Sequence, residues 1–183
     1  MNKTVISVLG YDKPGIIASV SRILSDHRCN IEDVSQTILQ SEFVGVFVVT
    51  RPDDLDEADL LRDLTSKLEP MGLSVVVKPM VRQQEWVPPP SEPFIITTTG
   101  PDRIGLVAGI TEVMARHRIN ISNLKAVFRG GDEPMRNIMI YEVDIPLETD
   151  QHAFRSDLCE RALELGLEIS LQHRHIFEAI HRV

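Results

Sequence analysis

Two short segments of this chain carry residues suited to holding a small ligand. Gly10, Asp12 and Gly15 lie in Gly10-Tyr11-Asp12-Lys13-Pro14-Gly15-Ile16, and Gly100, Asp102 and Gly105 lie in Gly100-Pro101-Asp102-Arg103-Ile104-Gly105-Leu106, 90 residues later. Glycine lets a ligand approach the backbone, and the first N–H groups of a following helix lack partners and favour an anion. The carboxylate of a free amino acid suits such a place, although a tight turn would use the same glycines. Asn30 and Asn120 keep the spacing, in His27-Arg28-Cys29-Asn30-Ile31 and His117-Arg118-Ile119-Asn120-Ile121. Their amides could donate and accept toward an amino acid, or close the end of a helix.

Reactive chemistry has no comparable signature. The chain lacks a Gly-x-Ser-x-Gly elbow, a phosphate-binding loop, a His-Glu-x-x-His motif and a Cys-x-x-Cys pair. A non-enzyme is expected, with no cofactor. His27 and His117 fall in the last turn of a helix, where a cation complements the dipole. His173 and His175 are expected on one face of a strand, without the third ligand that a metal site requires.

The elements that must position these residues also repeat. Thr4 to Leu9 reads as a strand, and Asp12 is placed to cap a helix whose apolar stripe is Ile16, Ile17, Val20, Ile23 and Leu24. The second stripe is Leu106, Val107, Ile110, Val113 and Met114. Two strand-like runs follow in each copy, 33–40 with 42–50 and 121–129 with 136–145, the second hairpin turning through Gly130-Gly131-Asp132. An acidic segment, Asp53 to Asp59, leads into a helix carrying Leu60, Leu61, Leu64 and Leu68, stopped by Gly72. Phe154, Leu158, Ala162, Leu165 and Gly166 repeat that plan, with a last strand expected over 73–81 and 167–177. Gly72 and Gly166 are offset by 94, which puts about four extra residues in the second hairpin. Strand, helix, strand, strand, helix, strand is the ferredoxin-like βαββαβ order, so the fold class is α+β with two tandem antiparallel sheets and helices on one face of each.

The expected domains are 1–82 and 94–183, joined by a Pro-rich linker over 83–93 with Pro88-Pro89-Pro90 and Trp86. From Gly15 to Asn30 is 15 residues, about 20 Å if mostly helical, so one small ligand cannot touch both ends of the same helix. It could bridge the glycine turn of one domain and the asparagine of a neighbouring one. A net charge of −8 argues against a broad nucleic-acid footprint. No apolar run is long enough to span a bilayer. With no signal-peptide pattern and two cysteines, Cys29 and Cys159, read as free buried thiols, the expected location is the cytoplasm.

An apolar strand followed by Asp12-Lys13-Pro14-Gly15-Ile16, an amphipathic helix and Asn30-Ile31 resembles the ACT domain, a regulatory module of ferredoxin-like fold. Asp102-Arg103-Ile104-Gly105-Leu106 with Asn120-Ile121 is the second match, without the proline. The resemblance covers nearly all of the chain except the linker. It implies amino-acid binding at domain interfaces, through Gly10, Asp12, Gly15, Ile16, Asn30 and Ile31 and through Gly100, Asp102, Gly105, Leu106, Asn120 and Ile121.

A free-standing tandem pair of this length is similar to the glycine cleavage system transcriptional repressor family. That similarity implies a glycine sensor that restrains a DNA-binding activator by contact, without gripping DNA itself, and a possible homodimer. A regulatory subunit giving a metabolic enzyme amino-acid feedback is the alternative. A relative of formyltetrahydrofolate deformylase would need a formyltransferase-like domain where this chain has its second repeat. Tyr11 against Pro101, and Asp33 against Asn123, imply two sites of unequal affinity or a single competent one.

Overall fold

A computed structural model describes residues 2–80, 88–128 and 137–181. The chain divides into two compact units, Met1–Trp86 and Val87–Val183, here called domains 1 and 2. Domain 1 runs β1 (Asn2–Tyr11), α1 (Ile16–Asp26), β2 (Asn30–Leu39), β3 (Glu42–Arg51), α2 (Glu57–Leu68), a 3-10 turn (Glu69–Met71) and β4 (Leu73–Pro79). Domain 2 runs β5 (Ser91–Gly100), α3 (Leu106–Arg116), β6 (Asn120–Phe128), β7 (Asn137–Pro146), α4 (Gln151–Glu164), β8 (Glu168–His173) and α5 (Arg174–His181).

Each domain holds a four-stranded antiparallel sheet, ordered β2-β3-β1-β4 and β6-β7-β5-β8. The expected ferredoxin-like fold is therefore present twice. The register slips by one residue at the same place in both copies, between Ile31 and Asp33 and between Ile121 and Asn123.

Period-two alternation sends one side of each sheet to the helices. In domain 1, Ile6, Val8, Phe43, Phe47 and Val49 are buried with Ile16, Val20, Ile23 and Leu24 of α1 and Leu60, Leu64 and Leu68 of α2. Burying each such side chain contributes about 1.5 to 3 kcal/mol. Domain 2 repeats the arrangement with Ile96, Leu106, Ile110, Val113, Met114, Tyr141, Phe154 and Leu158. The other side of the first sheet is open: Ser7 lies between Val46 and Val76, and both valines are exposed.

The helix starts depart from the sequence reading. Asp12 does not cap α1; Gly15 is the N-cap, at φ 97, and no side chain caps the helix. The turn around Pro14 and Gly15 delays the helix to Ile16, beyond reach of an Asp12 cap. Asp56 and Asp150 do cap α2 and α4, accepting from Ala58 N at 3.5 Å and from His152 N and Ala153 N at 3.0 Å. Those backbone N–H groups hold the Asp150 carboxyl below its ordinary value.

The last strand is shorter than expected. It ends at His173, and Arg174–His181 forms α5, so His175 is helical and does not share a strand with His173. Ile176, Phe177 and Ile180 have helical spacing, which replaces strand alternation at this point. α5 packs against β5 and β8. Arg174 reaches Glu142 at 3.0 Å, and Ile95, paired with Glu142 and Gln172, is buried.

Cys29 is buried, as expected, but Cys159 is exposed, because Leu158 takes the inward position of α4 beside it. Trp86, with residues 83–87 of the expected linker, and Gly130-Gly131-Asp132 fall outside the described residues. Among the described residues, no helix is long and apolar enough to cross a membrane, and no three potential metal ligands converge.

Candidate functional site

The two glycine turns are built alike. Gly15 and Gly105 adopt φ 97 and φ 93, a left-handed conformation that glycine reaches without Cβ strain. A Cβ at either position would meet nothing within 4 Å, so the turn is open above the helix start. α1 and α3 are each 11 residues long, and neither has a side-chain cap. Their first-turn N–H groups face outward with the positive end of the helix dipole. In domain 1 a cavity of about 200 Å³ lies here, lined by Asp12, Lys13, Gly15, Ile16, Gln36 and Phe43 among others.

Gly10 and Gly100 do a different job. A Cβ on Gly10 would come 2.5 Å from the Gly72 carbonyl oxygen, and one on Gly100 would come 3.0 Å from that of Gly166. These glycines let the first strand of each domain pass the start of its last strand. Ile16 and Leu106 are buried in the two cores, while Ile31 and Ile121 pack against them. The side chains of those four residues therefore stabilise the domain.

Basic side chains in the turns were not read as structural from the sequence. Lys13 Nζ donates to the Met71 carbonyl at 2.5 Å, and Arg103 Nη2 donates to the Leu165 carbonyl. Met71 and Leu165 precede Gly72 and Gly166, so the contact obeys the repeat. It ties the glycine turn to the end of the second helix.

Asn30 and Asn120 open β2 and β6 and are exposed. They do not cap the preceding helices, which end at His27 and His117 and turn through left-handed Arg28 and Arg118. An 11-residue helix is about 16 Å long, so the glycine turn and the asparagine of one domain stand at opposite ends of it. Both histidines bond to the second helix: His27 Nε2 to Asp63 Oδ2 at 2.8 Å and His117 Nε2 to Asp157 Oδ2 at 2.9 Å. His27 and Lys67 together hold the Asp63 carboxyl below its ordinary value.

One polar residue at the second turn escaped the sequence reading. Asn137, the first residue of β7, is 8% exposed, and its Nδ2 donates to Asp102 Oδ1 at 3.1 Å. Its Oδ1 is buried without a hydrogen-bond partner among the described residues. Asn137 pairs with Gly100, whereas Gly10 pairs with Phe43, so the equivalent position in domain 1 is aromatic. The repeat concealed this residue because Asn137 has no polar counterpart to align with.

Residues 2–78 and 92–172 each match the ACT domain family. UPF0237 protein MK1213 of Methanopyrus kandleri is 41% identical over 83 residues, which span 43% of this chain and 88% of that protein. UPF0237 protein MJ1558 of Methanocaldococcus jannaschii is 35% identical over 79 residues, again 43% of this chain and 88% of the relative. Each of these relatives thus corresponds to about one copy of the repeat.

Two solved structures share the fold over both copies. An unknown protein from Galdieria sulphuraria superposes with a TM-score of 0.73 at 23% identity, covering 94% of this chain and 98% of the other. A candidate glycine cleavage system transcriptional repressor superposes with a TM-score of 0.64 at 17% identity, covering 93% and 96%. With both halves matched and each folded as βαββαβ around its glycine turn, the chain belongs to the ACT domain family.

Proposed function

We propose that this chain is a non-catalytic regulator that senses a free amino acid, with glycine the first candidate. The carrying observation is the pair of left-handed glycines, Gly15 and Gly105, each opening an 11-residue helix without a side-chain cap. Such a helix start offers backbone N–H donors to a carboxylate and space for it to approach. Membership of the ACT family supports the same reading, and the fold shared with a candidate glycine cleavage repressor brings glycine forward.

A DNA-binding transcriptional activator is the proposed partner. The ligand would act by binding two states of the regulator, or of its complex, with different affinity. The net charge of −8 favours contact with a protein partner over direct contact with DNA.

Isothermal titration of the full chain with glycine, serine and the remaining amino acids tests the sensor. Saturable, selective binding that is lost in at least one of Gly15→Val and Gly105→Val is the expected result. Affinity unchanged in both folded variants removes the glycine turns from the site. Affinity capture with and without the bound amino acid tests the partner, and recovery of a metabolic enzyme instead of an activator overturns the repressor assignment.

A further inference from the structure

We propose that the bare face of the domain 1 sheet docks a second copy of this chain, the two faces stacking about a two-fold axis that runs along the strands between β3 and β1.

The face is built from alternate residues of four strands. Val5, Ser7 and Leu9 of β1 stand beside Val48, Val46 and Val44 of β3, with Lys78, Val76 and Ser74 of β4 on their other side. Asp33, Ser35 and Thr37 of β2 complete the three rows. Leu9 is 50% exposed, Val46 39% and Val76 59%. An antiparallel sheet with one side in water normally turns polar residues to it, yet this side carries five valines and a leucine.

Domain 2 differs at the same places. Its rows run through Ile95, Thr97 and Thr99 of β5, Glu142, Ile140 and Ile138 of β7, and Gln172, Ser170 and Glu168 of β8. Leu9, Val48 and Val76 thus give way to Thr99, Glu142 and Ser170. The face that the chain covers with its own α5 is the more polar, and the face it leaves open is the more apolar. That order is wrong for two surfaces left to water and right if another molecule covers the open one.

The charges name that molecule. Asp33, Val48, Val5 and Lys78 form one row across the sheet, with the acid on the β2 edge and the base on the β4 edge. Three strand spacings, about 14 Å, separate the two charges. Neither has an ion-pair partner among the described residues. A half-turn about the proposed axis exchanges β2 with β4 and keeps each row at its level. Asp33 of each copy then faces Lys78 of the other, Val48 faces Val5, and Val76 faces Ser35. Stacked sheets lie about 10 Å apart, a gap that a lysine spans toward an aspartate. The face is therefore complementary to itself, as a two-fold contact requires.

Area sets the strength. Four strands at about 4.8 Å and the seven residues of β4 at about 3.4 Å each give a surface of roughly 450 Å² per copy. Two copies bury roughly 1,000 Å², the low end for a specific contact, so a reversible dimer with a Kd of about 1 to 100 μM is expected.

Sedimentation velocity of the full chain, from about 1 μM to about 1 mM, is the test, with circular dichroism melts to confirm that each variant folds. Val76→Lys, Asp33→Lys and Lys78→Asp change exposed side chains and should each weaken dimerisation about tenfold or more, because symmetry counts every change twice. Combining Asp33→Lys with Lys78→Asp should return the affinity to within about threefold of wild type, since each new lysine again faces an aspartate. A wild-type chain still monomeric at about 1 mM leaves the face to a different protein and overturns the proposal. A dimer that folded Val76→Lys leaves intact overturns it too, as does a double variant no tighter than the single ones.

Discussion

Lys13 Nζ reaches the Met71 carbonyl at 2.5 Å across 58 residues of sequence. Arg103 makes the corresponding bond to Leu165 in domain 2. A cation that donates to a carbonyl at the end of a helix satisfies a group the helix leaves unpaired. The conserved geometry explains why either basic residue serves in the turn.

Lys13→Met should destabilise domain 1 by about 1 to 2 kcal/mol, and Lys13→Arg should restore most of the loss. Urea denaturation followed by circular dichroism measures both. Equal stability of Lys13→Met and wild type would show that the bond contributes nothing.

Two glycines five residues apart, Gly10 and Gly15, should respond differently to alanine. Gly15→Ala meets no neighbour and costs about 1 kcal/mol through its left-handed backbone alone. Gly10→Ala drives a Cβ to 2.5 Å from the Gly72 carbonyl and 2.9 Å from the Leu73 side chain, and should cost about 2 to 3 kcal/mol. The order of the two denaturation midpoints decides the matter.

Asp63 gives domain 1 an acid-sensitive contact. Its carboxyl is held below the ordinary value of 3.8, first by the His27 hydrogen bond and then by Lys67. A depressed folded value means the stabilisation is complete above 3.8 and disappears as pH falls through the folded value. The difference in melting temperature between wild type and Asp63→Asn should therefore be constant near neutrality and close in strong acid. A gap that persists unchanged in acid would assign the effect to packing.

Tyr141 supplies the opposite dependence in domain 2. Burial pushes its phenol from 10.0 up to about 12. A raised folded value gives stability that is whole below pH 10 and is lost as pH climbs toward 12. Tyr141→Phe, which installs the residue found at the equivalent Phe47, should abolish this alkaline loss. Its cost at neutral pH should be about 1 kcal/mol or less, from the Tyr141 hydroxyl bond to Met139 Sδ at 3.4 Å. An ultraviolet pH titration of the phenol provides the check.

The repeat made the fold legible. Matching glycines, apolar stripes and helix stops at offsets of 90 and 94 located both sheets and four of the helices. The fifth helix was hidden because Ile169, Leu171 and His173 extend an alternating run directly into Arg174, with no glycine or proline between. The site was less legible for two physical reasons. Helix capping depends on where the turn ends, so Asp12 looked like a cap that Gly15 replaces. Repetition also favours residues that recur, and the partnerless amide of Asn137 stands where domain 1 has Phe43.

α5 makes the two sheets unlike in one further respect. The face of the first sheet that carries Val46 and Val76 is bare, whereas Ile95 on the second lies beneath structure contributed by the chain's own tail. A cut after His173 would undo that difference and turn domain 2 into a second sheet with an unprotected apolar side. Dye binding and colloidal behaviour of the shortened chain would then report what the ten removed residues shield.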